Sequence, residues 1–293
     1  MGGIFRSPWL GTKRGYLADW ITQKWVEVTG RFIDLGEETW ISGPIGKTSG
    51  IGSDYFHELA RTEGLELESS RPSAGLVQGL SSLFSNENAS VQAGVVSFYE
   101  KTSDFEIDVW SEWASAFKPF GHLLALVFSR RLQQLNVPLS PLDTRLGMTS
   151  EILQLVDPES KVIRYTAWLR HLPGTGNVLY AGTYSLCNVP GLNRKCVKVV
   201  FPLPNGNAIV FMEPTINDDG SLLLRSSGNR FGEAGFYFVV HSGLGRARAR
   251  YIRSFQETIH VFESDDSEVR ADHVLRFFGF SFLRLHYRMR PRQ

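Results

Sequence analysis

The chain has 293 residues, of which 42% are hydrophobic and 12% aromatic, and its formal net charge is +1. This length is enough for one large hydrophobic core or two small ones, and the near-neutral charge excludes the overall basicity that is typical of nucleic-acid-binding proteins. Residues 1–169 carry 15 Lys and Arg against 20 Asp and Glu, whereas residues 170–293 carry 16 against 10. We expect the two parts to attract each other within one molecule, or the basic part to bind an anionic partner.

The first hundred residues are predicted to be mainly helical. Leu17, Ile21 and Val28 fall on one stripe of an amphipathic helix over 13–28, which ends at Gly30. Three more helices are predicted from apolar periodicity and from the caps Ser53 and Asn88, and they cover 54–64, 72–84 and 89–101.

After Thr102 the apolar period changes from that of a helix to two. "FEIDVWSEW", residues 105–113, alternates apolar and acidic side chains, which predicts a half-buried strand. One helix is inserted after it at about 119–135, and the prolines of "NVPLSPLD" end that helix.

From Thr149 onward the sequence predicts successive strands separated by short turns such as "PNGN", "NDDGS" and "SGLG". The predicted strands cover 149–156, 161–171, 177–187, 196–203, 207–213, 221–227, 235–241, 246–254, 257–263, 268–277 and 280–290. Their even spacing without intervening helices favours antiparallel pairs over βαβ units.

The predicted fold class is α+β, with N-terminal helices packed on a large antiparallel β-meander that curls into a barrel or half-barrel. Closure or a helical cover is expected because open strand edges promote association. We predict a helical N-terminal region, 1–100, and a β-rich domain, 101–293, that share one continuous core.

The glycine-rich segment Trp40–Ser53 contains Gly46-Lys47-Thr48, which resembles the end of a phosphate-binding loop. The first glycine of that motif would stand at position 41, which is Ile41, and the polar "GEETW" before it does not read as a buried strand. We therefore predict a flexible connector here and no bound nucleotide.

Three carboxylates of the first predicted strand share one face: Glu106, Asp108 and Glu112. If that face lined a cavity, desolvation could raise a carboxyl pKa and suit it to general-acid catalysis. Otherwise the row is the solvated side of a sheet, and these residues remain the weak catalytic candidates.

Two rows of arginines occur on later strands, and each row lies on one strand face. The candidate anion-binding residues are Arg246, Arg248, Arg250, Arg284 and Arg288. Such rows can bind phosphate or acidic groups, or they can form the polar outside of strands that meet the acidic half of the chain. Exposed aromatic side chains are not interleaved with them, so we expect no nucleic acid partner.

Aromatic side chains on two neighbouring strands indicate a cavity. Tyr180 and Tyr184 share a face with Gly182 between them, and Trp168 shares a face with Arg170. An interior lined by aromatic rings, small residues and a cation suits an amphiphilic ligand, although a packed core uses the same residues.

The chain has two cysteines, Cys187 and Cys196, on either side of a Pro-Gly turn. They are predicted to face each other across a hairpin, either as ordinary thiols or as a cross-hairpin disulfide. Two thiols without a nearby histidine pair do not make a zinc site, and we expect neither a metal nor a cofactor.

Four longer segments resemble a family of uncharacterised bacterial proteins: "FYEKTSDFEIDVWSEW", "SRRLQQLNVPLSPLD", "KVVFPLPNGNA" and "FGEAGFYF". The resemblance runs from about Trp40 to Pro291 and implies no known activity. The order of elements is also similar to the helix-grip lipid-binding domains of the START and Bet v 1 type. Those domains end in a long helix, whereas this chain ends in the strand-like "FSFLRLHYRMRP".

The leading hypothesis is a protein that binds a hydrophobic or amphiphilic small molecule in a β-lined cavity. The alternatives are an enzyme that uses the strand carboxylates in that cavity, and an interaction module that uses the basic strand faces. The longest apolar run, Leu123–Phe128, is far short of the roughly 20 residues that span a bilayer, and the N-terminus lacks the apolar core of a secretory signal. We therefore expect a cytoplasmic protein without a transmembrane segment.

Overall fold

The computed structural model describes residues 15–69, 73–84, 90–114, 149–171, 178–264, 266 and 268–292. Three α-helices are present in this part of the chain: α1 (Leu17–Thr29), α2 (Tyr55–Glu63) and α3 (Ala93–Glu100). Short 3₁₀ segments cover Thr39–Ile41, Leu80–Phe84 and Thr102–Asp104. The predicted helix at about 119–135 lies outside the described residues.

Fourteen strands make up about half of the described residues. They are β1 (Arg31–Asp34), β2 (Glu66–Ser69), β3 (Phe105–Trp113), β4 (Thr149–Val156), β5 (Ile163–His171), β6 (Val178–Asn188), β7 (Lys195–Leu203), β8 (Gly206–Ile216), β9 (Leu222–Arg225), β10 (Gly235–Gly243), β11 (Arg246–Tyr251), β12 (Phe255–Glu263), β13 (Val269–Phe277) and β14 (Phe280–Pro291). All strands predicted from alternation are confirmed. The four-residue strands β1 and β2 were not predicted, because so short a segment has no readable period.

All fourteen strands belong to one antiparallel sheet, and its order is set by the long strand β8. Residues 206–212 of β8 pair with β7, and residues 206–211 pair with β10 on the other side. Residues 213–216 pair with β9 instead, so β8 joins two parts of the sheet. Pro214 stands where the partner changes, as expected for a residue that cannot donate to a regular ladder.

The two parts of the sheet have different strand orders. The first part runs β2-β4-β5-β6-β7-β8-β10-β11-β1, and the second runs β8-β9-β12-β13-β14-β3. The predicted large antiparallel sheet is therefore confirmed, and the fold is mostly β with some helices. The predicted barrel is wrong, because the end strands β2 and β3 do not pair with each other among the described residues.

Charge and shortness protect the open edges in place of closure. The edge strand β2 has four residues, and the edge strand β3 exposes Glu106, Asp108 and Glu112 along its length. Charged side chains and short strands both oppose pairing with another chain.

The largest hydrophobic cluster contains side chains from both parts of the sheet, from α3 and from the segment 74–84. Ile152 and Val210 come from the first part, Val261 and Met289 from the second, and Phe98 from α3. The two parts therefore share one core, which α3 helps to cover.

A separate cluster packs α2 against β4, β5 and β6. Phe56 is fully buried against residues such as Leu155 and Leu169. Burying a side chain of this size contributes about 2–3 kcal/mol. The helix ends at Gly64, which has the left-handed φ of 68° that favours glycine.

Helix α1 contacts the sheet through a different face from the one its apolar stripe predicts. Its buried residues are Asp19, Gln23 and Val26, whereas Ile21 and Val28 are exposed. The Gln23 side chain donates a hydrogen bond of 2.9 Å to the carbonyl of Pro204. Polar contacts with the β7–β8 turn thus position α1, and its apolar face is left on the surface.

Candidate functional site

The shared core contains a partly open chamber of about 90 Å³, which is lined by both parts of the sheet, by α3 and by Leu76. Most of its lining is apolar, including Val199, Phe201, Ile259 and Met289. Among the described residues, the lining side chains with nitrogen or oxygen atoms are Tyr99, Trp168, Arg170, Tyr180, Tyr184, Glu257, His273 and Tyr287. All four ligand-binding residues predicted from the sequence, Trp168, Arg170, Tyr180 and Tyr184, therefore line the same chamber.

The strand period brings these four side chains together. Trp168 and Arg170 are two residues apart on β5, and Tyr180 and Tyr184 point to the same side of β6. Between the two tyrosines, a β-carbon at Gly182 would lie 3.1 Å from the Tyr180 ring. The tyrosines can meet because glycine leaves this space, and Tyr180 donates a hydrogen bond of 2.7 Å to the Tyr184 hydroxyl.

Aromatic rings surround the guanidinium of Arg170. Its central carbon lies 4.1 Å from the centre of the Trp168 ring, 4.6 Å from that of Tyr180 and 5.7 Å from that of Tyr287. The indole nitrogen of Trp168 donates a hydrogen bond of 2.7 Å to Ser150, which fixes the first of these rings. Cation–π contacts of this kind are strongest when water is excluded.

Arg170 is only 6% exposed, yet no carboxylate of the described residues forms an ion pair with it. Among the described residues, Glu257 is the one acidic side chain of the chamber, and it contacts His273 at 3.1 Å. The Nε atom of Arg170 is buried and has no hydrogen-bond partner in the described part of the chain. A buried cation with an unused donor is an uncommon arrangement, because buried charges are usually paired.

The tyrosine hydroxyls of the chamber remain protonated over a wide pH range. Burial raises the pKa of Tyr180 well above its ordinary value, and burial also raises the pKa of Tyr184. Burial raises the pKa of Tyr287 as well, while the charge and hydrogen bond of Arg170 oppose that shift. These groups therefore offer neutral hydrogen-bond donors beside one cation, a combination that binds an anionic group.

The predicted catalytic carboxylates lie elsewhere. Glu106, Asp108 and Glu112 are all exposed on the outer face of β3, whereas Phe105 and Ile107 are buried. Asp108 pairs with Arg290 at 2.9 Å, and Glu112 lies 3.6 Å from His286. The hypothesis of catalysis by these groups required them inside the cavity, and the structure places them outside it.

The two arginine rows do not converge on one site. On β11, Arg248 donates a hydrogen bond to the carbonyl of Gly30, and Arg250 donates one to the carbonyl of Thr29. These carbonyls lie at the C-terminal end of α1, which cations stabilise. Arg246 is exposed. On β14, Arg288 binds both carboxylate oxygens of Glu268, at 2.5 and 2.6 Å. Arg284 is exposed. Of the two candidate arginines on β14, Arg284 is therefore the one without an ion pair among the described residues.

The glycine-rich segment is attached to the sheet. The amide of Gly46 donates to the carbonyl of Leu203, and a β-carbon at Gly46 would lie 2.7 Å from that backbone. Lys47, the residue that would contact phosphates, pairs with Glu58 at 2.5 Å. The expectation of a flexible connector is corrected, because backbone contacts with the β7–β8 turn hold this segment.

The two cysteines are directly opposite each other on β6 and β7, as predicted, and both are free thiols. Burial raises the pKa of Cys187 to about 11 and that of Cys196 to about 12. Both are therefore almost entirely protonated at neutral pH.

Four polar side chains of the chamber were not predicted from the sequence as site residues: Tyr99, Glu257, His273 and Tyr287. A signal was present, because Glu257 shares its strand face with Ile259 and Val261, which are apolar. An acidic residue in an apolar row indicates a polar group that faces the interior.

The chain is 25% identical over 243 residues to the "Uncharacterized membrane protein YndJ" of Bacillus subtilis (strain 168). This alignment covers 81% of the chain and 41% of that relative, so the chain spans about two fifths of the relative's length. The predicted resemblance to uncharacterised bacterial proteins is confirmed. No protein-family model matches the chain, and no solved structure matches it.

This relative corrects the expectation of a cytoplasmic protein, since its name is that of a membrane protein. Over the described residues, no helix combines the length and hydropathy needed to cross a bilayer. The similarity to helix-grip lipid-binding domains stays a prediction.

Proposed function

We propose that this protein binds a small amphiphilic anion in the chamber between the two parts of its sheet, and that the ligand class is a short-chain carboxylate. The observation that supports this most is Arg170, a buried cation whose contacts are aromatic rings and whose Nε has no partner among the described residues. A ligand carboxylate would supply the missing acceptor and the opposite charge.

The free energy of burying Arg170 supports the proposal. Removing a guanidinium from water costs several kcal/mol, and aromatic contacts recover only about 1–2 kcal/mol each. A planar carboxylate accepts two parallel hydrogen bonds from a guanidinium, which is the strongest neutralising contact available to arginine. Because the ring contacts and the burial cost are of similar size, a bound carboxylate would add net stabilisation.

The chamber volume limits the size of the ligand. A cavity of about 150 Å³ holds benzene, which has six non-hydrogen atoms, so 90 Å³ corresponds to roughly four. Propionate is slightly larger, and it combines a charged end for Arg170 with an ethyl group for the apolar wall at Ile259 and Met289. A longer acyl chain requires the walls to move apart.

The remaining polar groups can orient the carboxylate. Tyr184 and Tyr287 keep their protons because burial raises their pKa values, so their hydroxyls can donate without repelling an anion. The Tyr180 proton already goes to the Tyr184 hydroxyl, which orients that group. Glu257 is held by His273 at 3.1 Å, which keeps this carboxylate from competing for Arg170.

The test is a thermal-unfolding titration with propionate, with propanamide and propylammonium as neutral and cationic analogues. We expect propionate alone to raise Tm, since a ligand at a hundredfold excess over Kd stabilises by about 2.7 kcal/mol. Arg170→Met should abolish the shift. Arg164→Met is the matched control, because Arg164 lies on the same strand but is exposed outside the chamber.

Two results would contradict the proposal. One is an equal Tm shift from all three analogues, which would indicate binding without charge recognition. The other is a propionate shift that survives Arg170→Met.

A further inference from the structure

The turn between β13 and β14 carries three exposed phenylalanines, which we name the phenylalanine tip: Phe277, Phe278 and Phe280. Phe278 is 71% exposed and Phe280 is 69% exposed. Phe277 and Phe278 contact each other with ring centres 4.7 Å apart. Large apolar side chains clustered at a turn contribute little to the core of their own chain, so the cluster indicates an external contact.

The backbone of this turn makes the choice of phenylalanine more unusual. Phe278 and Gly279 form a two-residue hairpin turn with φ values of 49° and 84°. Turns of this type favour Asn or Gly at the first position, because a bulky side chain is strained in the left-handed region. Phe278 therefore brings no benefit to the local backbone, and what distinguishes this turn is the cluster of three aromatic rings.

The surroundings of the phenylalanine tip are basic. Arg253 and Arg284 are exposed, Arg276 immediately precedes the tip, and the Phe278 amide donates to the carbonyl of Ser254. No Asp or Glu follows Asp272 in the sequence. The acidic residue opposite Arg284 is Glu112, and it lies 3.6 Å from His286. Arg253 and Arg276 therefore lie next to the tip in the chain or through Ser254, and Arg284 lies farther along β14.

We propose that the phenylalanine tip inserts into the surface of a membrane that contains anionic phospholipid, with Arg253, Arg276 and Arg284 at the level of the headgroups. Aromatic rings partition favourably into the interface between headgroups and acyl chains, and arginines near an anionic leaflet add electrostatic attraction. The combination of an apolar tip and a basic rim matches this ligand better than it matches a protein surface of mixed charge.

A second turn of the chain provides a matched comparison. Leu244 and Gly245 form the two-residue turn between β10 and β11, with φ values of 53° and 73°, and Leu244 is 99% exposed. This turn precedes β11, whereas Ser254, which contacts the phenylalanine tip, follows it. The two turns thus share backbone geometry and exposure, and they lie at opposite ends of β11.

The experiment measures co-sedimentation with vesicles of phosphatidylcholine containing about 30% phosphatidylglycerol, in parallel with pure phosphatidylcholine. Phe278→Asn should weaken partitioning into the mixed vesicles about tenfold, since burying one phenylalanine corresponds to roughly that factor. Leu244→Asn makes the same substitution in the same type of turn, and it should leave partitioning unchanged.

The variants also separate binding from folding. Asn fits the left-handed position better than Phe or Leu, so both variants should have a Tm equal to or above that of the wild type. A loss of binding in Phe278→Asn then reports the surface and not an unfolded chain. Arg253→Gln should weaken partitioning about fivefold, and added salt should weaken it further.

Three outcomes would overturn the proposal. The first is absence of sedimentation with the mixed vesicles, which would indicate that this surface binds a protein and not a membrane. The second is wild-type partitioning of Phe278→Asn. The third is loss of partitioning in Ile21→Asn but not in Phe278→Asn, which would assign the membrane contact to the exposed face of α1. Arg170→Met should partition like the wild type, so this test is independent of the chamber.

Discussion

Replacing Arg170 by methionine tests whether this cation is held for a ligand or for the fold. Methionine has a similar length and keeps the apolar stem in place, so the substitution removes mainly the charge and its donors. The consequence for stability in the absence of ligand follows from the contacts of the guanidinium. We expect the free energy of unfolding to change by less than about 1.5 kcal/mol.

The magnitude is the difference of two opposing terms. Three rings lie within 5.7 Å of the guanidinium carbon and together stabilise it by about 3 kcal/mol. The cost of keeping the charge out of water is several kcal/mol, which is of the same size. Removing the charge therefore removes both the stabilisation by the rings and the cost of keeping the charge out of water, and these two contributions nearly cancel.

The assay is urea unfolding of the wild type, Arg170→Met and the exposed-site control Arg164→Met, which should differ from the wild type by about 0.5 kcal/mol or less. Breaking a buried ion pair by removing one partner costs about 3–5 kcal/mol. A loss of that size in Arg170→Met would refute the reasoning, because it would mean that the charge of Arg170 has a structural counter-ion.

Three further predictions concern other parts of the fold. Gly182→Ala should lower the free energy of unfolding in urea by about 1–2 kcal/mol, because the new β-carbon would lie 3.1 Å from the Tyr180 ring. An unchanged urea midpoint would show that the ring moves freely into the chamber. Burial lowers the pKa of Lys198 to about 8, below its unfolded value of 10.5, so the unfolded chain binds more protons between these pH values and stability should rise with pH across them. Lys198→Met should remove that rise, and a rise that persists in the variant would assign it to another group. Burial raises the pKa of Cys187 to about 11 and that of Cys196 to about 12. At pH 8, iodoacetamide should therefore react with Cys187 roughly 100-fold and with Cys196 roughly 1,000-fold more slowly in the native than in the unfolded protein, and equal rates would contradict the buried setting.

The strands of this protein could be predicted from the sequence because their signal is local. Alternation of apolar and polar residues over five to ten positions defines a half-buried strand, and short turns with Gly, Asn or Asp separate the strands. The same alternation correctly placed Trp168 and Arg170, and Tyr180 and Tyr184, on common faces. Two neighbouring strands then sufficed to bring the four side chains into one chamber.

The arrangement of the strands in space could not be predicted in the same way. β8 changes partner from β7 and β10 to β9 within its length, and β11 pairs with the distant strand β1. Such pairings depend on contacts far apart in sequence, which a local period does not encode. For the same reason the sequence did not predict that Glu257 and His273, on the opposite wall of the chamber, belong to the site, nor that the sheet stays open without closing into a barrel.

Helix α1 illustrates a second limit. Its apolar stripe is real, but hydrogen bonds between Gln23 and the β7–β8 turn orient the helix, and Ile21 and Val28 remain exposed. Hydrophobic periodicity predicts which residues share a face, and the contacts of the folded chain decide which face is buried.

The measurement that tests the central claim most directly is the NMR signal of the Arg170 Nε–H group during a propionate titration, assigned by its absence from the spectrum of Arg170→Met. The Nε atom has no acceptor among the described residues, so a bound carboxylate should shift this resonance downfield and slow its exchange with water, and propanamide should leave it unchanged. A resonance that does not respond to propionate, while other signals of the chamber do, would contradict the assignment of Arg170 as the anion-binding group.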